Sequence, residues 1–152
     1  MNIYEEIKKK ITENIKLRNK ELTSFLRYID SIVQNKSSDN LVKISDELVI
    51  SVLKTEKKKV EEELSYIAKS GKESGSRKYE LEIQLGEINN LLPEEKSDEE
   101  VESIIKGIID SNKDIVGNKM IGLIMSKIKR EYPIDIDLKK ASKIAQNLLK
   151  NP

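Results

Sequence analysis

The sequence has no cysteine and no histidine, and its only aromatic residues are five tyrosines and one phenylalanine. Without cysteine there can be no disulfide, no thiolate nucleophile and no Cys-ligated zinc, a composition compatible with a reducing compartment. Without histidine there can be no Ser-His-Asp arrangement, no His general base and no His-ligated metal. With no tryptophan and one phenylalanine, the core must be built mostly from Ile, Leu and Val. Excess charge is lacking too: 28 basic against 27 acidic residues give a formal net charge of +1, so no global field draws the chain to nucleic acid or to a membrane. No run approaches the roughly 20 apolar residues needed to cross a bilayer. Met1 to Lys10 has no apolar signal-peptide core, and Glu5 and Glu6 beside Lys8-Lys9-Lys10 make it a poor mitochondrial presequence. The expectation is a soluble protein of the cytoplasm, or of an organelle matrix, with no membrane partner.

What is present is helical. At 152 residues the chain fits one domain or two small ones. Apolar residues at 37% and charged residues at 36% match helical bundles with wide solvated faces. The organising stretch is Leu91 to Val101. Pro93 lacks an N–H and its ring clashes one turn back, so it cannot continue a helix. Ser97-Asp98-Glu99-Glu100 then reads as a capping box, with the Ser97 hydroxyl accepting from the Glu100 N–H and the Glu100 carboxylate reaching back to the Ser97 N–H. One helical region stops here and another starts. The expected division is therefore 1–93, a helical domain of about four helices, and 94–152, a small three-helix bundle.

Along the first part, Ile3, Ile7, Ile11 and Ile15 mark one helix face that Asn2 can cap. The stripe breaks around Arg18-Asn19-Lys20 and resumes with Leu22, Phe25, Leu26, Ile29, Ile32 and Val33. Two helices with a tight bend near Asn19 are expected, with a single curved helix as the alternative. Asn35 to Ile44 reads as a polar loop. Ser45-Asp46-Glu47 starts the next helix, which buries Val49, Val52, Leu53, Val60, Leu64, Ile67 and Ala68. The turn around Glu56 and Lys57 is missing from that stripe, so the helix is expected to project past its partners there with both faces wet. Gly71 and Gly75 bracket a turn, and a further helix over about Ser76 to Leu92 buries Leu81, Leu85, Ile88 and Leu92. After the hinge come three apolar stripes: Val101 to Ile109, closed by Asn112; Met120 to Ile128, stopped at Tyr132-Pro133; and Leu138 to Leu148, capped by Asp135 or Asp137. No segment alternates with the period of a strand, so the whole chain reads as all-α.

Candidate chemistry is sparse. Lys57-Lys58-Lys59 before Glu61-Glu62-Glu63 is a solvated helix whose opposite charges pair weakly three and four residues apart. Gly117 and Gly122 match neither a P-loop nor a dinucleotide fingerprint. Gly122 interrupts a helical pattern at a cost of roughly 1 kcal/mol against Ala, so it admits a neighbouring helix backbone or leaves room for a ligand. No carboxylate pair stands in an apolar setting suited to acid–base work; no catalytic residue, metal or cofactor is assigned. One asymmetry stands out. Glu94 to Asp114 holds eight acids and three bases, whereas Lys119 to Lys150 holds three acids and eight bases. Among the latter, Lys127, Lys129 and Arg130 end one helix, and Lys139, Lys140 and Lys143 begin the next. They are either capping and solubilising charges or a patch for a phosphate backbone. No aromatic residue is placed among them to read bases by stacking.

The Leu91-Leu92-Pro93 hinge, the acidic start at Ser97-Asp98-Glu99-Glu100 and Gly122-Leu123-Ile124-Met125-Ser126-Lys127 resemble the GatB/YqeY family. Its members carry a Tyr-Leu-Pro hinge and a Gly-x-Val-Met-x-Lys-like core. Lys16-Leu17-Arg18-Asn19-Lys20-Glu21 with Leu26-Arg27, and Ala68-Lys69-Ser70-Gly71, extend the resemblance to nearly the whole chain. There are departures: Leu91 stands for the usual Tyr, Tyr132-Pro133-Ile134-Asp135 for a Gly and an Ala-Asp-Gly-like turn, and one extra residue lies between Gly117 and Gly122. The resemblance implies a helical N-terminal domain and a tail like the one that closes the B subunit of glutamine-dependent aminoacyl-tRNA amidotransferase, where it helps to hold tRNA. The catalytic cradle of that subunit is absent here, so an amidotransferase (carbon–nitrogen ligase) label would follow from homology alone.

Three functions follow as expectations. The first is an accessory factor without catalysis of its own that binds tRNA, or a complex carrying it such as an amidotransferase or aminoacyl-tRNA synthetase. Its contacts would be Lys127, Lys129, Arg130, Lys139, Lys140 and Lys143, with Pro93, Ser97, Gly122 and Met125 in structural roles. The second is a helical protein–protein adaptor docking through the helix from Asp46 to Ser70. The third is an amidotransferase in its own right, for which the chain shows no nucleophile.

Overall fold

The computed structural model describes residues 2–71 and 75–150. Among them are seven α-helices and no strand: α1 (Ile3–Lys16), α2 (Lys20–Asp39), α3 (Asp46–Ser70), α4 (Gly75–Leu91), α5 (Asp98–Ser111), α6 (Asn118–Glu131) and α7 (Leu138–Lys150). The chain divides into two compact units, Met1–Leu92 and Pro93–Pro152, each with its own apolar core. No described helix is long and apolar enough to cross a membrane.

In the first unit, α1 begins where the Asn2 side chain accepts from the Glu5 N–H at 2.8 Å, satisfying one of the donors every helix start leaves free. Ile7 is fully buried and Ile3 and Ile11 pack on the core, but the stripe does not hold to its end, since Ile15 is 48% exposed. Arg18 takes a left-handed φ of 57° and Asn19 caps α2, accepting from Leu22 N–H at 3.3 Å. That breaks the chain into two helices and excludes one curved helix. α2 buries Phe25, Leu26, Ile29 and Val33, and packs on α1 and α3. Each such side chain contributes roughly 1.5–3 kcal/mol on leaving water.

α2 runs further than its apolar stripe. Asn35 to Asp39, expected as loop, is helical to Asp39. The end is set by the backbone: Val42 N–H donates to Ser37 O and Leu41 N–H to Ser38 O, with Leu41 left-handed at φ 52°, the Schellman arrangement. Polar residues tolerate a helix that backbone bonds continue, and they leave no periodicity to read.

The Ser45 hydroxyl starts α3 by accepting from Leu48 N–H at 3.2 Å. Asp46 Oδ1 accepts from Ile3 N–H at 3.0 Å, tying the starts of α3 and α1 together. Gly71, at φ 66°, ends α3 in the left-handed conformation that glycine adopts without steric cost. The turn expected through Lys72-Glu73-Ser74 lies outside the described residues. Ala68 is exposed rather than buried. α4 buries Leu81, Ile88 and Leu91, and an ion pair of 2.8 Å between Lys10 and Glu87 links it to α1.

In the second unit the Ser97 hydroxyl accepts from Glu100 N–H at 3.2 Å. The return arm of the capping box differs from expectation: the Ser97 hydroxyl donates to Glu100 Oε1 at 3.3 Å, so the carboxylate meets the hydroxyl instead of the backbone N–H. Val101 and Ile105 of α5, Met120, Ile124 and Ile128 of α6, and Ile136 form a core that α7 closes with Ala141 and Ala145. Two alanines at this spacing let the α7 backbone approach its neighbours closely, and Asp137 settles its start, with Oδ1 accepting from Lys139 N–H at 2.9 Å. Lys96 N–H donates to Asp135 O at 2.8 Å and its ammonium lies 5.5 Å from the Tyr132 ring, so the strap before α5 is fastened to the α6–α7 connector.

Candidate functional site

α6 and α7 pack on each other and are joined by residues 132–137, so the end of α6 and the start of α7 lie at one end of the second unit. Lys127, Lys129 and Arg130 occupy the last turns of α6, and Lys139, Lys140 and Lys143 the first turns of α7. At 1.5 Å of rise per residue, every one falls within roughly 8 Å of the connector along its helix axis. They are not equivalent. Lys140 Nζ is ion-paired with Asp98 in the first turn of α5. Arg130 approaches Glu131 at 3.9 Å, with 70% of its side chain exposed. Lys127 is half-buried, and Lys129, Lys139 and Lys143 are exposed; these four make no ion pair with a described residue.

The two halves of this set have different electrostatic grounds. Lys129 and Arg130 sit in the last turn of α6, where cations are stabilised by the negative end of the helix dipole. Lys139 and Lys140 stand in the first turn of α7, where the dipole disfavours cations, and the nearest acid is Asp137 just before the helix, which accepts from Lys139 N–H. Asp98 offsets Lys140. Lys139 and Lys143 are four residues apart on one helix face, a like-charge spacing that destabilises a helix by a few tenths of a kcal/mol.

Gly122 does not admit a neighbouring helix: a Cβ built there meets nothing within 4 Å, and the residue is exposed. Met125 packs half-buried on the second core. Pro93 is half-buried, between the end of α4 and the strap to α5. No group of three or more acidic residues among those described is placed to hold a metal ion.

The first unit contains a feature that sequence periodicity missed. Glu56, expected on a wet turn of α3, is buried, with 6% exposure. It lines a cavity of about 630 Å³ walled by α2, α3 and α4. Tyr28 O–H donates to Glu56 Oε2 at 3.2 Å and Lys59 Nζ to Glu56 Oε1 at 3.2 Å. Burial, and then the Glu56 charge, push the Tyr28 phenol above its ordinary value. The hydrogen bond to Glu56 raises Lys59 likewise. Farther along, Arg77 holds Glu63 through two bonds of 2.7 and 3.1 Å and Glu80 at 3.2 Å. The signal in the sequence was the gap itself: a carboxylate at a position where the stripe Val49, Val52, Leu53, Val60 demands an apolar residue.

Among the described residues the chain forms two all-α units, and the second carries a basic end where α6 meets α7. The chain belongs to the family of YqeY-like proteins, whose description it matches over residues 4–149, across both units. That family is related to the C-terminal domain of the amidotransferase B subunit. No curated protein matches the sequence.

Proposed function

We propose that this YqeY-like protein is an accessory factor without catalysis of its own, with a four-helix scaffold and a three-helix tail that binds tRNA or a complex carrying it. Lys127, Lys129, Arg130, Lys139 and Lys143 hold phosphates of the tRNA backbone, with Lys140 joining them when Asp98 releases it. The observation that carries this reading is the pair Lys139 and Lys143: exposed, on one face four residues apart, without an ion pair to a described residue, a like-charge spacing that weakens the helix. A charge kept where it weakens its own helix serves something outside the helix. The kinship of the family with the amidotransferase B-subunit tail supports tRNA as the polyanion.

The test is a tRNA titration at two salt concentrations. Binding should weaken steeply with salt, with a slope near 0.7–0.9 per phosphate neutralised, and Lys139→Glu with Lys143→Glu should abolish most of it. No binding at low salt, or binding indifferent to the double substitution, sinks the reading. A protein–protein adaptor is the second reading, favoured by Tyr66 on α3 and Tyr79 on α4, which are 78% and 63% exposed. A nuclease-resistant complex with a protein that Tyr66→Ala dissolves would select it.

A further inference from the structure

The cavity in the first unit has an unusual floor. Phe25, Val60 and Leu81 are each buried and contribute apolar wall. Among them lies the Glu56 side chain, only 8% exposed. A carboxylate taken out of water loses several kcal/mol of solvation unless it is paired. Its two partners repair this only in part. Both bonds are 3.2 Å long, at or beyond the long end of the usual range, and both come from side chains that reach in from solvent: the Lys59 side chain is 63% exposed and Tyr28 is 47% exposed. An ionised carboxylate offers about four acceptor positions and these use two. The space, about 630 Å³, is a groove open to solvent on one side, with apolar wall at its base and polar groups around its mouth. The charged lining residues are Lys20, Lys59 and Arg77 against Glu21, Glu56, Glu63 and Glu80, a net excess of one negative charge, and Arg77 is already held by two of the carboxylates.

From this arrangement we infer that the first unit has a binding site for a small organic cation, an alkylammonium or alkylguanidinium group on an apolar body, with Glu56 as its counter-ion. The ammonium displaces Lys59 Nζ from Glu56 Oε1, Tyr28 keeps its bond to Oε2, and the apolar body lies against Phe25, Val60 and Leu81. The site is separate from the basic end of the second unit and stands whether or not that end binds tRNA.

The experiment uses the full-length protein and isothermal titration with 2-phenylethylamine, and with 2-phenylethanol as its neutral counterpart. The amine binds saturably and the alcohol at least about tenfold more weakly, as loss of a charge-assisted hydrogen bond requires. Glu56→Gln weakens the amine by about tenfold or more while the helical circular dichroism is retained. Lys59→Met moves the other way and tightens it, because the resident competitor is gone; this variant keeps the test decisive if Glu56→Gln does not fold. Equal binding of amine and alcohol overturns the inference. So does amine affinity unchanged in Glu56→Gln, affinity unchanged or lowered in Lys59→Met, or no saturable amine binding at all.

Discussion

Lys140 of α7 is ion-paired with Asp98 in the first turn of α5, and under the proposed tRNA-binding reading this pair sets how much of the basic end is available to a polyanion. With 37% and 70% of the two side chains exposed, the pair adds at most about 1 kcal/mol to stability. Its larger effect is on charge: it neutralises one cation in the set and holds an acid beside the others. Asp98→Asn should therefore tighten tRNA binding and steepen its salt dependence by about one phosphate contact, while the melting temperature moves by no more than a few degrees. Filter binding over a salt series reads both. Unchanged or weaker binding in Asp98→Asn would place the polyanion contacts elsewhere.

The reasons for the differences between sequence reading and structure are specific. Caps were legible because they are chemical: Asn2, Ser45 and Ser97 each present a side-chain acceptor just before an apolar stripe, and each accepts the expected kind of backbone N–H. Cores were legible because three- and four-residue steps put Leu26, Ile29 and Val33, or Met120, Ile124 and Ile128, on one face. The Lys140–Asp98 pair was not legible, since it joins residues 42 positions apart whose charges looked equally free. Nor was the burial of Glu56: a charge in a gap of the stripe reads as a wet turn unless the partner helices are known to continue over it. Gly122 read as a place of close helix approach or as room for a ligand, and a Cβ there meets nothing within 4 Å, which excludes the first; a missing side chain does not itself say what takes its room.

The end of α2 gives a prediction independent of function. Leu41 occupies the left-handed position of the closing motif at φ 52°, where a side chain costs roughly 1–2 kcal/mol, and it is 93% exposed, so it returns almost nothing by burial. Leu41→Gly removes that strain and gives back part of the gain through the greater freedom of glycine in the unfolded chain. A net stabilisation of about 1 kcal/mol is expected, read as a higher urea midpoint with an unchanged slope. A lower midpoint would mean that Leu41 makes contacts in solution that stabilise the fold.

Glu56 separates stability from function. If the carboxylate is there to meet a ligand, the fold itself would be better served by an apolar side chain among Phe25, Val60 and Leu81. Replacing a buried ion pair by packed apolar groups is often neutral or stabilising, and here the partner left behind, Lys59, has a side chain 63% exposed and returns to water. Glu56→Leu should therefore raise stability by about 1 kcal/mol in a urea titration. A loss of comparable size would show instead that the bonds to Tyr28 and Lys59 fasten α2 to α3.

Alkaline titration tests the same cluster from the other partner. Burial comes first and the Glu56 charge second in lifting the Tyr28 phenol above its ordinary 10.0, so its protonated form is favoured in the folded protein. A group whose folded value is raised contributes stability that is fully present below the unfolded value and disappears as pH rises through the folded one. Tyr28 therefore stabilises the first unit up to about pH 10 and loses that contribution above it. Lys59, lifted above its ordinary 10.5 chiefly by its hydrogen bond to Glu56, fails in the same direction as pH rises beyond that value, leaving Glu56 without either donor. Phenolate absorbance should show a late-titrating fraction that shrinks in Tyr28→Phe, and in that variant the decline of stability above pH 10 should be shallower than in the unmodified protein. If the absorbance lost in Tyr28→Phe comes from the ordinary tyrosine range and the late fraction is untouched, the Tyr28–Glu56 bond does not persist in solution.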